Sequence, residues 1–291
     1  MSPEIALSLC RFLLYATAIF LWGSSAYLAA LVPAGLSAAI ARKLRILNLM
    51  ARVLLVAAIF VTPLALTATI GDGWSDLRMG LIISVVVDTA GGHAWMIQLS
   101  TTLALCASSA VLTRHDRAAH ALCAFVLLAS MTFTGHAAMN DGWLRILHRL
   151  NDALHLLSGG AWLGSLVPVF LMFSALDNGE WRAEARLALM RFSTAGHIAV
   201  ALVLLTGVAN TLLIVGGMPT DWTLAYQRLL CLKILVVAGM VTIAVINRYV
   251  LVPRLSAAGS LSALKRSTGM AIALGLSSLA LVAWFGMLQP T

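Results

Sequence analysis

Long apolar stretches separated by short polar linkers dominate this sequence, and this alternation limits its fold more than any other feature. A helix needs about 20 mostly apolar residues to cross the hydrocarbon core of a bilayer. Eight stretches of the chain meet that requirement, at about 7–34, 46–70, 92–112, 118–139, 150–175, 187–215, 225–251 and 266–288. The pattern therefore predicts an all-α, polytopic membrane helical bundle with eight transmembrane helices.

The composition excludes a soluble protein. Hydrophobic residues make up 61% of the 291 residues and charged residues only 10%, with a mean hydropathy of +0.96. A soluble domain has about 25% charged residues. Neither a basic stripe interleaved with aromatic residues, as in nucleic-acid-binding proteins, nor an internal repeat is present. No linker is long enough for a soluble domain, so we expect residues 1–291 to form a single integral-membrane domain.

Residues 71–92 interrupt the series of spans. Gly and Asp residues punctuate this segment, and its apolar middle, residues 77–87, is too short to cross a bilayer. We expect an interfacial or re-entrant segment here.

The distribution of Lys and Arg predicts the orientation. The linkers after the first, third, fifth and seventh spans, with the adjoining helix ends, hold 13 of the 19 basic residues, and the opposite side holds six. Basic residues concentrate on the cytoplasmic side of membrane proteins. An even number of spans then places both termini in the periplasm. The N-terminal sequence MSPEIALSLCR lacks the features of a cleaved signal peptide, so we expect it to be retained.

Polar residues open the fifth span, NDALHLLSGGAWLGSLVPVF (151–170). His148, Asp152 and His155 share one helix face, with His155 roughly 10 Å deeper than His148 at 1.5 Å per residue. We expect His148 in the wet interface and His155 inside the membrane. Ionisable side chains within a bilayer are costly and usually functional.

Further imidazole and thioether groups fall at the same predicted outer face. The fourth span brings Met131, His136 and Met139, and the third brings His93 and Met96. Imidazole and thioether ligands suit copper, and thioethers favour Cu(I). The sequence thus predicts a copper site drawn from His136, His155, Met139, Met131, His93, Met96 and His148. Asp152 is expected to orient an imidazole or attract the cation without binding it directly. The alternative is that each Met packs in the core.

Other residues in the spans have simpler readings. Ser158, Gly159, Gly160 and Gly164 are expected to allow close helix approach, bringing the fifth span near the fourth. Lys233 is expected to extend outward toward the interface. The four cysteines fit small buried apolar residues. A second metal site, on the inner side of the membrane and formed by His197, Cys106 and Cys123, is an alternative that the sequence does not decide.

At this point the chain resembles the copper resistance protein D (CopD/PcoD) family of bacterial inner-membrane proteins. The resemblance covers essentially the whole chain, through DTAGGHAW (88–95), TGHAA (134–138), LHLLSGGAWLGSL (154–166), RFSTAG (191–196), LLTGVAN (204–210) and the segment 226–255. One departure is Gln227, where the family tends to have Gly. The resemblance implies that the family's membrane histidines fall on His136 and His155. It also implies a periplasmic copper-carrier protein of the CopC type as partner, and copper moving across the inner membrane.

Three functions are compatible with these residues, and none is an enzyme. The first is a copper permease that binds copper ion at its periplasmic face. The second is a redox protein holding haem b between paired histidines. The third is a copper-binding sensor or docking scaffold without transport. The chain has neither a GxxxxGK[ST] motif nor the phosphorylation motif of P-type pumps, so transport would be passive, proton-coupled or driven by a partner.

Overall fold

The computed structural model describes residues 1–111, 117–134, 141–177, 179–254 and 260–290, apart from the side chains of 109–111. Within these residues the chain is helical and contains no strand. The helices are α1 (Pro3–Ala30), α2 (Ala34–Lys43), α3 (Arg45–Ile70), α4 (Met79–Asp88), α5 (Ala90–Val111), α6 (Arg117–Ser130), α7 (Gly142–Met172), α8 (Arg182–Val215), α9 (Ala225–Ile246) and α10 (Ser260–Phe285). A 3₁₀ turn, Met131–Phe133, extends α6, and a π-helical turn, Asn247–Leu251, extends α9.

The described helices include six that are long and apolar enough to cross a membrane: α1, α3, α7, α8, α9 and α10. The pair α4 and α5 makes a seventh if it is counted as one span, although it bends by 85°. Helix α6 with its 3₁₀ turn is apolar but shorter. The all-α membrane fold is therefore confirmed, with six or seven spans long and apolar enough to cross among the described residues.

Two short helices occupy linkers between the longer ones. Helix α4 has ten residues and lies where the sequence predicts an interfacial or re-entrant segment. Helix α2 was not predicted, because its apolar residues continue those of the first span. Its buried side chains Leu36 and Ile40 pack in a core cluster with Met172 and Phe173, at the far end of α7.

Helix α1 lies at the centre of the bundle and packs against α3, α6, α7 and α10. Its closest partner is α7, through the GxxxG pair Gly160 and Gly164 opposite Gly23. A Cβ on Gly23 would overlap the carbonyl oxygen of Gly160, so only glycine fits this crossing. The indole of Trp22 also donates a hydrogen bond of 2.9 Å to the carbonyl of Leu157. The expected close approach exists, mainly against α1, and α6 also contacts α7 through Leu128 beside Gly160.

Both chain termini lie at one end of the bundle, which we call the termini end. Arg11, near the start of α1, donates a hydrogen bond of 3.2 Å to the carbonyl of Gly286. Gln227, near the start of α9, donates one of 3.3 Å to the carbonyl of Pro290. The beginnings of α1, α5, α7 and α9 and the ends of α3, α8 and α10 therefore share this end.

Candidate functional site: a polar cavity at the termini end

A cavity of about 800 Å³ opens among α1, α3, α5, α7, α8, α9 and α10 in the half of the bundle toward the termini end. We call it the polar cavity. Most of its lining side chains are apolar, and its ionisable lining residues are Arg11, His148, Asp152, His155 and Lys233, with Tyr15 and Tyr226. A largely apolar cavity with a few converging polar groups is the usual form of a small-ligand site.

His155 is held by a threonine of the neighbouring helix. Its Nδ1 lies 3.0 Å from Oγ1 of Thr206 on α8. The Thr206 hydroxyl donates its own hydrogen to the carbonyl of Leu202, at 2.5 Å, so toward His155 it acts as an acceptor. His155 therefore donates from Nδ1, and its Nε2 keeps a free lone pair. In this tautomer Nε2 is the ring nitrogen that can bind a metal ion.

Gly207 leaves room for this imidazole. A Cβ at Gly207 would lie 3.3 Å from Cε1 of His155, which is a tight contact. The adjacent pair Thr206 and Gly207 thus sets both the orientation and the position of the ring against α8.

Asp152 belongs to an amide network between α7 and α8. Asn151 donates from Nδ2 to the carbonyl of Thr206, at 3.0 Å, and to Oδ1 of Asn210, at 2.7 Å. Asn210 in turn donates to Oδ1 of Asp152, at 3.2 Å. Paired amides and a carboxylate fix α8 on α7 at the depth of His155. Within the described residues, the second carboxylate oxygen of Asp152 makes no hydrogen bond.

His148 also lines the polar cavity, as the shared face of His148, Asp152 and His155 predicts. The prediction that it lies in a wet interface is wrong, because its side chain is only 1% exposed. His148 is buried because neighbouring segments pack around the start of α7, and the periodicity of α7 alone does not reveal that packing.

Thioethers add soft donors to the same cavity. Met131, one of the predicted ligands, is 2% exposed and lines it. Met240 on α9 and Met218 in the loop before α9 line it as well, and neither was predicted. Both lie far along the chain from α7, so their approach depends on how the helices of the bundle pack together.

The remaining predicted ligands divide into two groups. His93 and Met96 do not line the polar cavity. His93 is exposed and its Nε2 lies 2.6 Å from the carbonyl of Val87, across the bend between α4 and α5, and Met96 is 38% exposed. His136 and Met139 lie outside the described residues.

The described part of the chain holds no group of three His, Cys, Asp or Glu side chains close enough to share a metal ion. This holds at the far end too, where Nδ1 of the exposed His197 lies 2.6 Å from the carbonyl of Ser193. Cys106 and Cys123 are free thiols. A metal site at the polar cavity therefore needs thioether donors or residues outside the described ranges.

Comparison with known proteins decides the family. Residues 1–146 match the family described as copper resistance protein D-like, N-terminal domain, and residues 186–285 match copper resistance protein D. Copper resistance protein D of Pseudomonas syringae pv. tomato is 33% identical over 219 residues, which are 71% of each chain. This chain belongs to the copper resistance protein D family.

Two further proteins that are similar to this chain have other names. Inner membrane protein YebZ of Escherichia coli (strain K12) is 42% identical over 188 residues, which are 64% of this chain and 63% of YebZ. Copper transport protein CutJ of Bacillus subtilis (strain 168) is 31% identical over 183 residues, 59% of this chain and 33% of CutJ. The match thus spans about a third of CutJ and just under two thirds of YebZ. No solved structure matches the chain. With its apolar helices, the chain is a multi-pass protein of the bacterial inner membrane.

Several site residues of this family member escaped the sequence reasoning. Thr206 and Asn210 lie four residues apart in the apolar stretch LLTGVAN, which places them on one face of α8. That spacing is a signal that could have paired α8 with α7. Lys233 lines the cavity instead of extending outward to the interface. A lone Lys in an apolar helix gives no sign of which way it faces.

Proposed function

We propose that this protein binds copper in the polar cavity at the periplasmic face and moves it across the inner membrane. Its family and two of its relatives are named for copper resistance or copper transport. Transport, rather than enzymatic catalysis, is the proposed role. The observation that supports it best is the hydrogen bond from His155 to Thr206, which leaves the Nε2 lone pair of His155 available inside a cavity.

The donors around His155 fit a soft, low-charge cation. Met131, Met240 and His148 line the same cavity and supply two thioethers and a second imidazole. Such neutral donors favour Cu(I) over zinc, which more often recruits thiolates or carboxylates. The resemblance adds His136 as a further ligand. Asp152 supplies the negative charge that attracts a cation past Lys233.

We propose eight spans with both termini in the periplasm. The six long helices, the bent α4–α5 pair and the shorter α6 add up to eight. The common location of the termini supports an even number, and the 13-to-6 bias of basic residues supports the orientation. The polar cavity then faces the periplasm, where a copper-carrier protein of the CopC type would deliver the ion.

Copper stoichiometry on purified variants tests the site. We expect His155→Ala to remove tight Cu(I) binding and His93→Ala to retain it, because His155 lines the cavity and His93 does not. Both variants should remain folded by size-exclusion chromatography. Equal copper retention in the two variants would contradict the proposed site.

Vesicle uptake and absorption spectra separate the three functions. A permease accumulates copper in vesicles, and His155→Ala abolishes the uptake. A sensor or scaffold binds copper without uptake. A Soret band in the purified protein, lost in His155→Ala, would instead favour the haem b function.

A further inference from the structure

The polar cavity extends between α8 and α9, whose residues line one of its sides. Helix α8 packs along α7, and α9 packs along α10, but within the described residues α8 and α9 share no extensive contact. Only 6% of the most apolar window of α8 and 11% of that of α9 is buried, against 56% for α7. The two helices therefore form opposite walls of a groove that faces the bilayer.

Polarity changes with depth along this groove. The charged lining residues Arg11, Asp152 and Lys233 lie toward the termini end. Deeper lining residues, including Leu163, Val237 and Met240, are apolar. Met240 follows Lys233 by seven residues, which places it roughly 10 Å deeper along α9. One leaflet of a bilayer has a hydrocarbon depth of about 15 Å, so this part of the groove covers about two thirds of the length of an acyl chain.

Lys233 supplies a positive charge at the point where the polar part of the groove begins. In the described part of the chain the ammonium of Lys233 makes no hydrogen bond and no ion pair. It interacts electrostatically with the carboxylate of Asp152. Arg11 adds a second cation, so the charged lining groups sum to a net positive charge. A cation held inside a membrane protein usually meets an anionic partner or ligand.

We propose that the groove between α8 and α9 binds an anionic amphiphile from the periplasmic leaflet, with its acidic head group on Lys233 and its acyl chain between the two helices. The positive charge of Lys233 favours an acidic head group. The apolar residues deeper in the groove favour an acyl chain. The head-group end of this site is separate from copper chemistry, because it does not need Nε2 of His155, whereas Met240 lines both the groove and the proposed copper site. An occupied groove closes the side of the polar cavity that faces the lipid.

Native mass spectrometry of the full-length protein, exchanged into synthetic lipids without copper, tests this. We expect the protein to retain phosphatidylglycerol over phosphatidylcholine by about fivefold, the contribution of one basic residue. Lys233→Gln should remove the preference and Lys233→Arg should keep it. Lys265→Gln is the matched control, because Lys265 lies near the start of α10, at the opposite end of the bundle.

A second variant tests the chain-binding part. Ala238, an exposed residue of α9, lines the groove. Ala238→Phe should lower retention of the lipid while leaving the protein folded. Competition by oleate would identify a free fatty acid as an occupant of the same site. If inorganic phosphate displaces phosphatidylglycerol and oleate does not, the site binds a phosphate group and not an amphiphile, which contradicts the proposal. An unchanged preference for phosphatidylglycerol in Lys233→Gln would also contradict it.

Discussion

At the scale of the residue, the chemistry of the polar cavity depends on groups that do not face the ligand. Thr206 accepts from Nδ1 of His155 because its own hydroxyl hydrogen is already donated to Leu202. The imidazole is thereby fixed as a neutral donor with a free Nε2. Thr206 is thus a positioning residue, and its effect on copper should pass entirely through His155.

Thr206→Val should weaken Cu(I) binding by about 10- to 100-fold, the usual cost of losing a group that orients a metal-bound histidine. Thr206→Ser should restore most of the affinity, since it restores the hydroxyl. The measurement is a competition titration against a Cu(I) chelator. Thr211→Val is the matched control, because the Thr211 hydroxyl bonds the carbonyl of Gly207 in its own helix. Equal losses in the two valine variants would refute the positioning role.

Asp152→Asn should lower copper affinity by about tenfold and leave the protein folded. The new amide still accepts from Asn210, so the contact between α7 and α8 survives while the negative charge is lost. The same chelator titration measures this, preferably at two salt concentrations. Asp221→Asn, in an exposed position of the loop before α9, provides the control. If Asp152→Asn leaves the copper affinity unchanged, the carboxylate of Asp152 does not contribute to copper binding.

At the scale of the element, the crossing of α1 and α7 determines where the site is built. Gly23, Gly160 and Gly164 bring the two backbones into contact, and α7 then presents its polar face to α8. Helix association in a bilayer depends on such close packing, because lipid offers no hydrophobic driving force between helices. The geometry around His155 therefore depends on glycines that lie about 1.4 and 2.5 turns further along α7.

Gly164→Ala should destabilise the protein by about 1–3 kcal/mol, the usual cost of overpacking a tight core. The added methyl group would overlap the carbonyl oxygen of Ile19 on α1. Thermal unfolding in detergent should show a lower Tm. Gly159→Ala is the control on the neighbouring residue, where a Cβ makes only an ordinary contact of 3.7 Å with Val203. If both variants melt at the wild-type temperature, the close crossing is not what holds α1 on α7.

At the scale of the whole molecule, the bundle has a packed half and an open half. Helices α1, α3, α6 and α7 surround the main core cluster, which includes Leu55, Ile59 and Leu128. Helices α8 and α9 lie outside it, so the polar cavity forms between the two halves. The side of the cavity between α8 and α9 is the one through which the proposed amphiphile would enter.

Alkaline phosphatase fusions should be active after Met218 and at the C-terminus and inactive after Lys43. Phosphatase folds only in the periplasm, and the first two positions lie at the termini end whereas Lys43 ends α2 at the far end. A green fluorescent protein series at the same positions should give the reciprocal pattern. Phosphatase activity at Lys43 alone would invert the orientation and place the polar cavity in the cytoplasm.

Much of the fold was predictable because a bilayer imposes simple rules on a sequence. Apolar stretches of sufficient length become helices, since every backbone group must be satisfied within the segment. The short apolar segment 77–87 likewise predicted a separate short element, and the ten-residue helix α4 lies there. The periodicity of α7 placed His148, Asp152 and His155 on one face, and all three line one cavity.

The sequence by itself determined the class of fold, the family and the polar face of α7, because each depends on residues that are close together along the chain. Only the tertiary structure decided which side chains lie opposite the polar face of α7. Thr206 and Lys233 reach the polar cavity, and His93 does not, through the rotation and spacing of helices packed far apart in sequence. Those rotations follow from close contacts such as the one between Gly23 and Gly160, and an apolar helix carries little sign of which of its sides will make them.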